Sequence, residues 1–126
     1  GIYNFNESIT IPEGWTFVIE KGTAVNLSPD KYILSYSPVS MIGSEQNPIK
    51  ITHGNFVVLS QKDKKSTLKN VIFDSLSLSE NSNWTITGAV TFHNTNVLIS
   101  DCQFNFFENN QNQIVKNLSR RTKISV

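Results

Sequence analysis

The side chains that most often carry out chemistry in proteins are scattered along this sequence. His53 and His93 are too far apart for a local zinc-binding motif, and Cys102 is the single cysteine, so no Cys/His set has metal-binding spacing. We interpret His53, within Thr52-His53-Gly54-Asn55, as a turn residue and His93 as a surface strand residue. These three residues therefore do not predict a catalytic or metal site.

The acidic residues are equally dispersed. Asp74 and Asp101 could approach each other if the chain coils on itself, and both arginines lie far away, at positions 120 and 121. Calcium takes about six to eight oxygen ligands, usually with several carboxylates among them, so we interpret Asp74 and Asp101 as corner or surface residues. We expect no catalytic residue, no metal and no cofactor. The sequence favours a non-enzyme without deciding the matter.

Aromatic side chains offer a different kind of chemistry, because a flat ring with a polar tip can stack on the face of a sugar. Trp84, Tyr32 and Tyr36 are the candidate ligand-binding residues on this ground. Trp15 could act in the same way, or could instead cap the first coil, since it follows the turn residue Gly14. The candidate ligand is therefore a polysaccharide.

A repeated six-residue pattern indicates how the chain positions these residues. Leu68–Phe73 and Ile99–Phe104 share an aliphatic residue, a polar residue, Asn or Asp, a small apolar residue, a variable residue and Phe. Alternation of apolar and polar residues fails in the middle of the pattern, which favours two strands joined by a corner. Asn70 and Asp101 are the predicted corner residues, since Asn and Asp tolerate left-handed backbone conformations. Two unrelated loops between antiparallel strands are the alternative.

Length and composition narrow the class of protein further. The chain has 126 residues, a net charge of +1 and frequent Asn and Ser, which predicts one domain of short strands and turns rather than long helices. The near-neutral charge gives no reason to expect a nucleic acid partner. No apolar run reaches the length of a membrane span, so we expect no membrane insertion.

Apolar positions recur at a spacing typical of a solenoid. If Val25, Ile49, Val71 and Val97 are equivalent, they are separated by 24, 22 and 26 residues, which would allow about four to five coils. An antiparallel sandwich usually has Asn-Gly or Asp-Gly hairpins, and neither dipeptide occurs. The residues predicted to face inward are Ile49, Ile51, Leu68, Val71, Phe73, Val97, Ile99, Cys102 and Phe104.

The sequence resembles right-handed parallel β-helix proteins of the pectate-lyase-like superfamily, including secreted bacterial β-helix proteins of uncertain role. The resemblance rests on the segments 9–14, 17–23, 41–51, 66–73 and 88–104. It implies an all-β, right-handed parallel β-helix and a secreted or cell-surface location. It also implies that a lyase would carry a calcium-binding acidic cluster with a basic residue beside it, and this chain lacks that cluster.

We therefore expect a non-catalytic structural or binding module of a secreted or cell-surface β-helix protein. The alternative is a polysaccharide lyase or hydrolase whose active site is incomplete in this chain. Residues 1–126 are expected to form one β-helix domain, a portion of a longer β-helix protein, with 108–126 as an irregular or capping tail. An uncapped coil end exposes strand edges that can pair with another chain, so we also expect a homo-oligomer formed through the coil ends.

Overall fold

Short β-strands make up all the regular secondary structure that the structure describes. The structure is a computed structural model, and it describes residues 1–60, 63–76, 90–93, 95–106 and 122–124. Apolar and polar residues alternate in many of the strands, because successive side chains point to opposite faces. The strands are β1 (Ile2–Phe5), β2 (Ile9–Ile11), β3 (Phe17–Glu20), β4 (Ala24–Leu27), β5 (Tyr32–Ser35), β6 (Val39–Ile42), β7 (Ile49–Thr52), β8 (Asn55–Val58), β9 (Lys65–Lys69), β10 (Val71–Leu76), β11 (Val90–Phe92), β12 (Asn96–Ser100), β13 (Gln103–Phe106) and β14 (Thr122–Ile124).

The described strands form three parallel sheets, and the chain contributes strands to them in a fixed order. Sheet A has the order β1-β4-β7-β10-β13, sheet B the order β2-β5-β8-β11-β14, and sheet C the order β3-β6-β9-β12. One passage of the chain through sheets A, B and C is called a pass below, and each strand pairs with its counterpart in the next pass. This is a β-helix-like solenoid. It confirms the prediction of an all-β fold built from parallel strands.

The repeated pattern lies in register across two sheets. In sheet C, Leu68 pairs with Ile99, and in sheet A, Phe73 pairs with Phe104. Both pairings are parallel, so the alternative with antiparallel strands is wrong. The first half of each copy belongs to sheet C and the second half to sheet A, as expected for two strands joined by a corner.

The predicted equivalence of four apolar residues is only partly right. Ile49 pairs with Val71, but Val25 pairs with Ile51 rather than Ile49. Val97 lies in sheet C, where it pairs with Ser66. The equivalence fails because the connections between strands differ in length from pass to pass, so counting residues does not preserve the pairing.

The core lies between the three sheets. The five predicted inward residues in 49–73 are at most 1% exposed. The other four predicted inward residues, between 97 and 104, are partly buried and pack against the core. Aromatic rings contact one another at its centre with tilted planes: the ring centroid of Phe56 lies 5.4 Å from that of Phe73 and 6.2 Å from that of Phe92.

The corners between sheets C and A are closely stacked. Asn70 and Asp101 have φ angles of 51° and 54°, in the left-handed region that a sharp bend requires. Gly43 lies beside Asn70 in the preceding pass: its N–H donates to the Lys69 carbonyl oxygen over 2.8 Å. A Cβ atom at position 43 would lie 2.6 Å from the Asn70 carbonyl oxygen. The pairing of these corners therefore requires glycine at position 43.

Candidate functional site

A groove lies at the corner where the chain leaves sheet B for sheet C. Its walls come from the connections β2–β3, β5–β6 and β8–β9, which occupy the same corner in three successive passes. Paired strands are about 4.7–4.9 Å apart, so the groove runs along the solenoid axis across about two such spacings. We call it the corner groove. Its volume is about 650 Å³, and it is lined by Glu13, Gly14, Trp15, Thr16, Tyr36, Pro38, Ser60 and Lys64.

Two aromatic side chains form the apolar part of the corner groove. Trp15 is 66% exposed and Tyr36 is 39% exposed, so neither side chain is used to fill the core. Large exposed aromatic surface at a concave site is available to a ligand rather than to folding. The exposure of Trp15 also means that its ring is not buried as a cap of the first coil.

Backbone and hydroxyl hydrogen bonds hold the β2–β3 connection in place. Because this connection carries Trp15, we call it the tryptophan loop. The backbone N–H of Trp15 donates to Ser37 Oγ over 3.0 Å, and the Ser37 hydroxyl donates to the Pro12 carbonyl oxygen. The N–H of Tyr36 donates to the Ile11 carbonyl oxygen over 2.8 Å. Trp15 and Tyr36 are thus positioned by bonds between the same two passes, and the buried Ser37 connects their loops.

Buried hydroxyl groups occur in the strands and connections near the corner between sheets B and C. Ser35 Oγ donates to the Ser37 carbonyl oxygen over 2.7 Å, and Ser66 Oγ accepts from the Val39 N–H over 3.0 Å. Ser60 Oγ and Thr95 Oγ1, in contrast, are buried without a hydrogen-bond partner in the described part of the chain. A buried polar group with no partner costs about 1–3 kcal/mol. Ser60 lines the corner groove, but its hydroxyl oxygen is buried.

Opposite charges lie at the two ends of the groove. Glu13 belongs to the β2–β3 connection and Lys64 to the β8–β9 connection, two passes further along the axis. Both side chains are exposed. In the described residues the only ion pair joins Lys50 Nζ to Asp74 Oδ2, at 3.5 Å on sheet A. Glu13 and Lys64 therefore have no ion-pair partner within the described residues.

The residues predicted to bind a ligand do not all meet at this groove. Tyr36 lines it, whereas Tyr32 is half-buried at the opposite end of β5, where its N–H donates to Ser8 Oγ over 3.1 Å. Trp84 lies outside the described residues. Sequence reasoning missed Glu13, Ser60 and Lys64. The available signal was that each belongs to a connection that follows a strand of sheet B.

The other candidate chemical groups do not assemble into a site. Cys102 is half-buried, and its Sγ donates to the Ser100 carbonyl oxygen over 3.4 Å. Burial raises the pKa of the Cys102 thiol above its ordinary value of 9.0, which keeps it protonated and a poor nucleophile. His53 has a φ of 68° in the turn after β7, and His93 is exposed after β11. Within the described ranges, no three His, Cys, Asp or Glu side chains could hold a metal ion.

A second cavity, of about 450 Å³, opens at the end of the solenoid formed by β1, β2 and β3. The core residues Ile19, Val25 and Ile33 line it, together with the partly buried Phe5, Ile9 and Phe17. Association of two chains through such ends stays a prediction. In the described part of the chain there is no helix with the length and hydropathy needed to cross a membrane.

Comparison with protein-family models, with curated proteins and with solved structures finds no match to this chain. Its class is therefore defined by its architecture. It is a β-helix-like parallel solenoid with an aromatic groove at one corner.

Proposed function

We propose that this chain is a non-catalytic polysaccharide-binding module of a secreted or cell-surface protein. We further propose that its solenoid is a right-handed parallel β-helix of about four to five coils, related to the pectate-lyase-like superfamily. The single observation that carries the functional proposal is the pair of exposed aromatic rings, Trp15 and Tyr36, in one groove. Their stacking surface suits the apolar face of a sugar ring.

Three features of the groove support a glycan over another small ligand. The groove is open and elongated along the axis, because it crosses three passes. Its exposed polar groups, Glu13 and Lys64, can accept and donate hydrogen bonds with sugar hydroxyls. The tryptophan loop is held by its own hydrogen bonds, which lowers the conformational cost of binding.

A glycan array followed by calorimetric titration tests the proposal. Trp15→Ala should weaken binding of every bound glycan by about tenfold, as expected for loss of a stacking contact of about 1.5 kcal/mol. Tyr3→Ala is the matched control, because Tyr3 is a 53% exposed aromatic residue at the end of the solenoid, outside the corner groove. Unchanged affinity in Trp15→Ala, or no binding on the array, would contradict the proposal.

The alternative of a lyase or hydrolase is tested separately. The chain is incubated with pectic and other acidic glycans, with and without calcium, and product formation is followed by absorbance and by reducing ends. Turnover that is lost on mutation of this chain's own residues would overturn the non-catalytic assignment.

A further inference from the structure

An apolar cleft adjoins the corner groove at Trp15. It belongs to the first pass and is formed by the end of β2, the tryptophan loop and the start of β3. We call it the apolar cleft. Its volume is about 480 Å³, and it is lined by Ile11, Pro12, Trp15, Thr16, Phe17 and Val18. Trp15 and Thr16 also line the corner groove, so a sugar that stacks on Trp15 lies next to the cleft.

The lining of the apolar cleft differs in chemistry from that of the groove. Five of its six side chains are apolar and none is charged, whereas Glu13 and Lys64 line the groove. Val18 is on the outer face of sheet C, since its neighbours in β3 pack on the core, and its side chain is 58% exposed. Removing this apolar surface from water is favourable.

An unsubstituted sugar unit is a poor occupant of the apolar cleft. A sugar hydroxyl placed against Pro12 and Val18 would lose its hydrogen bonds to water without gaining a partner. An acyl ester replaces that hydroxyl with an apolar group. Its carbonyl oxygen can accept a hydrogen bond from the hydroxyl of Thr16, the one polar side chain of the lining. The cleft therefore suits an esterified sugar better than a free one.

We propose that this chain selects O-acetylated glycans. The acetyl group enters the apolar cleft against Val18 and Pro12, and the sugar that carries it stacks on Trp15 at the boundary with the corner groove. This inference rests on the proposed function and adds the substrate class. A glycan without acyl groups uses the groove alone and leaves the cleft exposed to water.

Calorimetric titration of the full chain with two matched pairs of oligosaccharides tests the inference. The pairs are acetylated glucomannan and acetylated xylan hexasaccharides, each before and after mild alkaline deacetylation. In at least one pair the acetylated member should bind about fivefold more tightly, as expected for burial of one acetyl group.

Val18→Ser should reduce this preference to about twofold or less and leave the affinity for the deacetylated member unchanged. Ser40 is the residue paired with Val18 in the next strand of sheet C, so serine is compatible with this face of the sheet. Ile42→Ser is the matched control, because Ile42 is a 50% exposed aliphatic residue of the same sheet outside both the groove and the cleft. It should keep the full preference.

Equal affinities within both pairs would overturn the inference, as would a preference that survives in Val18→Ser. If either result comes with binding that Trp15→Ala weakens, the inference fails and the proposed function stands. The same holds if neither pair binds but the glycan array finds a ligand. If neither pair binds and the array also finds no ligand, both fail.

Discussion

The rings of Phe73 and Phe104 stack nearly parallel, with centroids 5.3 Å apart and an angle of 5° between their planes. They are paired residues of neighbouring strands in sheet A. Phe73 is fully buried and also contacts Phe56, whereas Phe104 is partly buried. The stack therefore connects the centre of the core to the last described pass of sheet A.

Truncation of Phe73 should destabilise the fold strongly. Phe73→Ala removes a fully buried ring and leaves a cavity, which typically costs about 3–5 kcal/mol. Phe104→Ala should cost clearly less, because its ring is only partly buried. Chemical denaturation of the two variants measures both values. Equal losses would contradict the difference in burial described here.

Alanine substitutions at three glycines should separate the cost of a steric clash from the cost of backbone strain. Gly14 has a φ of 89° with nothing within 4 Å of an added Cβ, whereas the Cβ at Gly43 would lie 2.6 Å from a backbone oxygen. Gly54 combines a φ of 75° with a contact of 2.4 Å to the Lys31 carbonyl oxygen. Gly14→Ala should cost about 1–2 kcal/mol and Gly43→Ala about 1–3 kcal/mol. Gly54→Ala should cost most, and thermal unfolding would reveal any other order.

The stacked repeat could be predicted from sequence because both copies have the same length around the corner. Leu68 and Phe73 are five residues apart, as are Ile99 and Phe104, so their register follows once a parallel solenoid is assumed. The sequence spacing aligns Val25 with Ile49, whereas its partner in the structure is Ile51. That error of two residues leaves the same face of the strand inward, and both isoleucines are buried. The inward assignment was therefore right where the pairing was wrong.

The corner groove could not be predicted in the same way. Trp15, Tyr36 and Ser60 belong to three connections that share no sequence pattern, and they meet only because the strands before them pair in sheet B. The aromatic ring alone indicates Tyr36 as a candidate. The same signal indicates Tyr32, which lies at the other end of β5. Side-chain type is visible in a sequence, but the meeting of loops depends on tertiary register.

The thiol of Cys102 should make stability depend on alkaline pH. Its pKa is raised in the folded state mainly because burial disfavours the thiolate, so the unfolded chain loses this proton first as pH rises. The contribution of this thiol to the free energy of unfolding is then fully present below pH 9, and it is lost as pH rises through the folded pKa. Cys102→Val, which places the residue of the first repeat copy at this position, should remove this part of the decrease. Denaturation of both proteins from pH 7 to 10.5 measures it, and identical slopes would contradict the expectation.

Ser37 and Ser60 offer the sharpest comparison at the corner groove, because both are buried serines of the same corner. Ser37→Ala removes the hydrogen bonds from the Trp15 N–H and to the Pro12 carbonyl oxygen, so it should lower the free energy of unfolding by about 1–2 kcal/mol. Ser60→Ala removes a hydroxyl that has no partner among the described residues. It should leave stability unchanged or higher.

Ligand binding should weaken in Ser37→Ala and stay unchanged in Ser60→Ala. Ser37→Ala loosens the loop that carries Trp15, so the fluorescence of Trp15 should shift in the free protein, measured in a Trp84→Phe background where it is the single tryptophan. Ser60→Ala should leave both that fluorescence and the affinity for glycans unchanged, because the Ser60 hydroxyl oxygen is buried. Ser28→Ala, at a different corner, is the control for both measurements. A stability loss in Ser60→Ala as large as in Ser37→Ala would contradict the expectation and show that the Ser60 hydroxyl has a structural partner.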